Sequence, residues 1–202
     1  MKGQRGTGHQ PDEDVGGATP SLGRIGVQLL FRAHAVFVAS FLRRLGTPDS
    51  EVDDLVQEVF LVAHRKGGYT PGAGQPRTWL GSIALRVAST NRRTRRRRRE
   101  EPNEEALQSA PAQGDLTGAL EARASLVRVQ QALSTLELDH RAAFVLYEFE
   151  GESCESIARA LEVPIGTVYS RLHHARQRFV EAYAKFDDGK TGAHRRRLAG
   201  GE

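Results

Sequence analysis

Cys154 is the chain's only thiol. One thiol can neither close an internal disulfide nor supply a multi-thiolate zinc site, so hydrophobic packing must hold the fold together. No apolar run approaches the ~20 residues that a membrane-spanning helix needs. The amino terminus, MKGQRGTGHQPDEDVGGATP, has no apolar centre of the kind a signal peptide requires. A cytoplasmic protein with no membrane attachment is therefore expected. Period-two alternation long enough for a strand is absent, and so is any internal repeat, which leaves an all-α class. The glycines of GGYTPGAGQP are not followed by Gly-Lys-Ser/Thr and no strand precedes them, so this segment is a loop but not a nucleotide cradle. No His-Glu-x-x-His and no clustered carboxylate site is found. His9, His34, His64, His140 and His194 are scattered. His173 and His174 are adjacent and diverge by about 100° on a helix, which keeps them from sharing a metal easily. These absences argue against an enzyme, a cofactor and a metal.

What is present is charge in one place. The formal net charge is +4, yet RRTRRRRR, Arg92 to Arg99, holds seven arginines, and subtracting those seven leaves the rest of the chain at −3. So local a positive charge points to one polyanion-facing surface on an otherwise ordinary protein.

Composition and periodicity divide the chain as follows. Residues 1–21 are rich in Gly, Pro and charge and are expected to be a disordered tail. A helical domain follows over 22–99. Its first helix carries Leu30, Ala33, Phe37, Phe41 and Leu45 on one face and ends at Gly46 and Pro48. The second, SEVDDLVQEVFLVAHRK, turns Val52, Leu55, Val56, Val59, Phe60 and Ala63 inward and Asp53, Asp54, Gln57 and Glu58 outward, with acidic residues at its positive N-terminal end. The third, RTWLGSIALRVASTNRR, has Trp79, Leu80, Ile83, Ala84 and Val87 as its apolar members, with the arginine run at or beyond its C-terminal end. Residues 100–118 shift to Glu, Pro, Gln, Ala and Gly and read as a flexible linker. A second domain is expected over 119–186, with Leu126, Val129, Leu133 and Leu136 on one helix and HRAAFVLYEFEG as another, and a disordered basic tail over 187–202.

The most informative stretch is ARALEVPIGTVYSRLHHARQRF, Ala158 to Phe179. Ser153 can cap the helix CESIARAL, and Glu162, Val163 and Pro164 make a tight turn. At 100° per residue, Val168, Leu172, Ala175 and Phe179 of the next helix fall in one narrow stripe. Thr167 stands in its first turn, Ser170, His173, His174 and Gln177 lie opposite the stripe, and Tyr169, Arg171, Arg176 and Arg178 flank them. A short helix, a tight turn and a helix with a hydrogen-bonding outer face form a helix-turn-helix, here winged-helix-like, whose second helix enters a DNA major groove. Tyr169, Ser170, His173 and His174 are the candidates for base edges, and Arg171 and Arg176 divide between bases and phosphates. The plainer alternative is an amphipathic core helix with a solvated polar face. Glu162 occupies the turn position where glycine is commonest, and a left-handed conformation there costs roughly 1 kcal/mol.

Three segments in order, SEVDDLVQEVFLVAHRK, PRTWLGSIALRVASTNRR and GESCESIARALEVPIGTVYSRLHHARQRF, together resemble bacterial RNA polymerase sigma factors of the extracytoplasmic-function group of the sigma-70 family. The resemblance covers about residues 25–185. It implies a promoter-recognition subunit with two small helical domains. By the same resemblance Asp54, Gln57, Glu58 and Phe60 dock on the coiled coil of the polymerase's largest subunit. The loop Tyr69 to Arg77 and the helix from Trp79 onward capture the melted minus-ten strand, and the helix-turn-helix reads the minus-thirty-five duplex. Unpaired bases suit a loop pocket because their edges are exposed. Trp79 on its own reads more readily as a core residue. Arg92, Arg93, Arg95 and Arg96 are expected to anchor DNA through counterion release. Sequestration by an anti-sigma factor is a further expectation from the family's habit. Where the family usually has Asn and, four residues later, Asp, this chain has Arg86 and Thr90, and Tyr169 and His174 stand where Arg or Lys is usual. The alternative is a helix-turn-helix regulator of the response-regulator type, which needs neither the acidic docking helix nor polymerase.

Overall fold

The computed structural model describes residues 23–72, 74–100 and 117–199, with side chains described except in 98–100, 117–122 and 187–199. The expected amino-terminal tail and most of the expected linker lie outside the described residues. Helix α1 spans Val27–Arg44, α2 Asp49–Arg65, α3 Pro76–Glu100, α4 Thr117–Ser134, α5 Leu138–Phe144, α6 Cys154–Leu161 and α7 Ile165–Ala199. A π-helical turn, Val145–Phe149, extends α5. No strand occurs among the described residues, only an isolated bridge between Ile25 and Tyr69.

Three of these helices stop in the same way. At the end of α1, Gly46 N–H donates to Arg43 O and Thr47 N–H to Leu42 O. At the end of α2, Gly67 and Gly68 repeat the pattern on His64 and Ala63, and after α6, Glu162 and Val163 repeat it on Arg159 and Ala158. Each pair satisfies carbonyls that the helix end would otherwise orphan. The motif needs one left-handed residue. Glycine supplies it at Gly46 and Gly67, with φ of 94° and 76°, whereas Glu162 adopts φ 57° with a side chain attached.

Helices α1, α2 and α3 pack on one another, and α7 packs on α4, α5 and α6. The two groups also meet, chiefly through α3 against α6 and α5, and their buried apolar residues form one continuous cluster. Contact across this seam depends on Gly81 of α3, where a Cβ would stand 3.1 Å from Leu146 Cδ2. Arg141 of α5 reaches across it, donating to Leu45 O at 2.8 Å and Leu136 O at 2.9 Å. Its charge thus sits where helix-end carbonyls concentrate negative potential. Burial, and to a lesser degree nearby Arg92, lowers its pKa to about 10, so it stays charged at neutral pH.

Two residues of the expected apolar patterns are exposed: Ala33 and Leu126. On α1 the buried stripe is Leu30, Phe37, Val38, Phe41, Leu42 and Leu45, and Ala33 lies about 100° of helical rotation from its centre. On α4, Ala132, Leu133 and Leu136 are buried; Leu126 lies within about 20° of Leu133 around the helix but two turns nearer its start, where it is left uncovered. The tail expected from residue 187 onward is helical backbone as far as Ala199.

Candidate nucleic-acid interface

The helix-turn-helix is built from α6, the Glu162–Pro164 turn and the first half of α7. Ser153 Oγ accepts from Ser156 N–H at 3.1 Å and caps α6. In its first turn Glu155 is held below its ordinary carboxylate pKa by a backbone hydrogen bond and then by Ser153. Cys154 beside it is buried, and its thiol is shifted upward mainly by that burial.

On α7, Val168, Leu172 and Ala175 are buried, and half-buried Phe179 lies 5.0 Å from the Phe144 ring. The opposite side keeps Tyr169, Ser170, His173, His174, Arg176 and Gln177 exposed, with Tyr169 at 54%. Thr167 is half-buried. The structure therefore brings the predicted duplex-reading residues together on one solvent-facing surface.

Neighbouring elements orient several of these side chains, and the sequence had not singled out the partners. Arg171 donates to Asp139 at 2.8 Å, and Arg176 to Glu148 at 2.7 Å while lying over the Tyr147 ring. The Glu148 hydrogen bond raises the Arg176 pKa, so that guanidinium remains charged. Both arginines thus stand on fixed edges of the face. Ser170 Oγ donates to Thr167 O at 3.0 Å, and His174 Nδ1 lies 2.8 Å from Ser170 O with its ring beside His140. Such local bonds hold short polar side chains against their own helix until a better acceptor or donor arrives.

In the other domain, the loop between α2 and α3 is fixed at both ends. Tyr69 bridges Ile25 through backbone hydrogen bonds of 2.9 and 3.1 Å, its hydroxyl donates to Gly74 O, and its ring meets Trp79 edge-on at 5.7 Å. Trp79 is half-buried in this contact. The arginine run belongs to the last turns of α3, with Arg92, Arg93 and Arg96 exposed and Arg95 paired with Glu51 at 3.2 Å. Arg86 pairs with Glu162 across the seam at 3.0 Å, and Thr90 Oγ1 donates back to Arg86 O. Loop and arginine run sit at opposite ends of α3.

The acidic face of α2 shows Asp53, Asp54 and Gln57 to solvent, while Glu58 is half-buried and paired with Arg65 at 2.6 Å. Phe60 departs from its expected surface role. It is 5% exposed, with its ring edge-to-face against Phe31 at 4.9 Å, because it belongs to the Val52, Val56, Val59 and Ala63 stripe. What is exposed beside it is Phe31 and Leu61, which flank an open groove of about 750 Å³. Sequence reasoning missed both, since a single exposed apolar residue carries no periodic signal. Among the described residues no helix is long and apolar enough to cross a membrane, and no trio of His, Cys, Asp or Glu is placed to hold a metal.

The comparisons agree with this layout. The Sigma-70 region 2 model matches residues 30–98, and the Sigma-70 region 4 model matches residues 126–179. The chain is 34% identical over 158 residues to the ECF RNA polymerase sigma factor SigE of Mycolicibacterium smegmatis, covering 77% of this chain and 61% of that longer protein. It is 34% identical over 135 residues to the RNA polymerase sigma-H factor of Pseudomonas aeruginosa, covering 63% of this chain and 70% of that one. In three dimensions it is similar to the sigma factor RpoE of Bartonella quintana, solved in complex with the anti-sigma factor NepR, with a TM-score of 0.59 at 26% identity over 77% of this chain and 94% of that one. Two family models in chain order, and relatives matched across both helical groups, leave one classification: the chain belongs to the sigma-70 family of RNA polymerase sigma factors, in the extracytoplasmic-function group.

Proposed function

We propose that the chain binds RNA polymerase core and directs it to promoters by reading the minus-thirty-five duplex with α7 and holding the melted minus-ten strand with the loop and helix that follow α2. The observation that carries this reading is the face of α7. A helix whose back is packed through Val168, Leu172 and Ala175 presents Tyr169, Ser170, His173, His174 and Gln177 to solvent, directly after a tight turn, in the geometry that suits a major groove. Arg171 and Arg176, each steered by a carboxylate, stand where the groove walls place phosphates. Arg92, Arg93, Arg95 and Arg96 add sequence-independent affinity. Trp79 supports the loop beneath the captured strand, its ring packed on Tyr69.

Core docking falls to the exposed Asp54 and Gln57 with Glu58, beside the apolar groove of Phe31 and Leu61; Phe60 supports that surface from below. The RpoE neighbour was solved with an anti-sigma factor, and a regulatory partner of that kind is part of the proposal here. The test is transcription by purified core on a promoter library. Ser170→Ala and His174→Ala should change which upstream duplexes are used, and Asp54→Arg should lower transcription at all of them. Upstream preference untouched by either α7 variant would remove the reader assignment.

A further inference from the structure

The second domain covers the entrance that the first would use for single-stranded DNA. Gly74 of the loop faces Ser156 of α6. Thr78, fully buried at the start of α3, donates to the Glu152 carboxylate and lies 3.0 Å from Ser156 Oγ. Beside this contact Glu150 projects between two arginines of the first domain. Its Oε1 accepts from Arg44 Nη1 at 2.7 Å, and its Oε2 accepts from Arg77 Nη2. The Glu150 side chain is 7% exposed, against 31% for Arg44 and 42% for Arg77. Removing the carboxylate would therefore leave two guanidinium groups at a surface.

One carboxylate with a guanidinium on each oxygen has the charge and spacing of the two non-bridging oxygens of a phosphodiester. Arg77 is already positioned by its own domain, since its guanidinium lies 4.7 Å from the Phe37 ring centroid, and its buried Nε–H is a donor without a hydrogen-bond partner. It is the last residue of the loop assigned to strand capture. Arg44 is positioned partly by the second domain, through the Phe149 ring at 4.9 Å.

We infer that Arg44 and Arg77 form a binding site for one phosphate of the melted promoter strand, and that Glu150 fills this site as an internal phosphate mimic while the two domains are packed together. The inference rests on the strand-capture reading above. Its consequence is competition: strand and Glu150 cannot hold the pair at once, so the closed chain binds single-stranded DNA weakly, and separating the domains turns the same arginines toward the strand. Because both arginines are partly open to water, the latch is reversible and weakens with salt.

The test measures binding of fluorescein-labelled oligothymidylate to the full chain by anisotropy, with the radius of gyration from X-ray scattering as the readout of opening and circular dichroism as the check on folding. E150Q is expected to expand the molecule and to tighten DNA binding about tenfold, the effect of one released charge-assisted contact. R44Q/R77Q is expected to expand it equally with no gain in affinity, and to flatten the salt dependence relative to E150Q by about 0.7 in log–log slope, as for one phosphate lost from a single strand. E137Q makes the same change in net charge at an exposed position and should alter binding less than about twofold. Equal gains in E150Q and R44Q/R77Q, equal gains in E150Q and E137Q, or no gain in E150Q would each overturn the site. Photocrosslinking of a premelted promoter in reconstituted holoenzyme separates the two levels of the argument. No crosslink to residues 69–79 overturns the strand-capture reading and this site with it, whereas crosslinking that persists while E150Q gains nothing overturns this site alone.

Discussion

The two proposed DNA-contacting regions are in opposite states. The α7 face is open, with Ser170, His173 and Gln177 exposed above a packed apolar back. The entrance to α3 is closed, with Thr78 buried and Arg77 engaged by a carboxylate from the other domain. A surface set by the periodicity of one helix can be complete as soon as that helix packs on its own domain. A surface formed by a loop and a helix start is available or hidden depending on what another domain does.

The largest effect that separates the two regions should come from the back of α7. Leu172→Ala removes a side chain that is 3% exposed and should destabilise the second domain by about 2–5 kcal/mol, whereas Ser170→Ala on the outer face should change stability by less than about 0.5 kcal/mol. Chemical denaturation followed by circular dichroism compares them, and equal losses would erase the distinction between packed back and open face. Next is the seam itself. Gly81→Leu would drive a side chain into Leu146 and Phe37, and overpacking of this kind costs about 1–3 kcal/mol. The expected readout is a larger radius of gyration with helix content retained, and an unchanged radius would show that the contact is not needed for closure.

A smaller gain is expected at the turn. Glu162→Gly relieves a left-handed residue and gives up the exposed pair with Arg86, so stability should rise by up to about 1 kcal/mol. A loss measured by thermal unfolding would mean that the ion pair outweighs the backbone term. The weakest effect belongs to His34, whose pKa is lowered by burial and then by the charge of Arg77. The folded chain prefers the neutral imidazole, so the contribution is complete above the ordinary histidine pKa of about 6.5 and is lost as pH falls below it toward the lowered folded value. His34→Gln should flatten the stability profile across that window, and a profile with the same slope would assign the effect to other groups.

Much of this was readable from residue order. The stripe Val168, Leu172, Ala175 and Phe179 follows from 100° per residue, and Gly46 marks its helix end because a left-handed C′ residue is least strained there. Glu162 is the discordant residue of its turn, where glycine is commonest, and it adopts the left-handed φ of 57° that the turn requires. Ala33 departs because a rule of three- and four-residue steps admits residues about 100° from the true centre of a stripe, and Leu126 because periodicity gives a face but not how far along the helix a neighbour covers it. Phe60 carries two readings, an inward one from periodicity and a docking one from resemblance, and its burial at the edge of the Phe31–Leu61 groove fits the first directly and leaves for the second only a supporting place. Asp139 and Glu148, which orient Arg171 and Arg176, gave no signal at all, being ordinary exposed carboxylates until the fold sets them beside those arginines.

Local periodicity and turn chemistry were enough to place the described helices up to residue 186 and most of their inner faces, because those properties depend on residues a few positions apart, while the family was legible only as a resemblance of three segments in order. Only tertiary structure could decide that Glu150 meets Arg44 and Arg77, 106 and 73 positions away in the chain. An ion pair between domains is set by how their packed surfaces fit, here through a missing Cβ at Gly81 and a buried Thr78, and no sequence spacing encodes that distance.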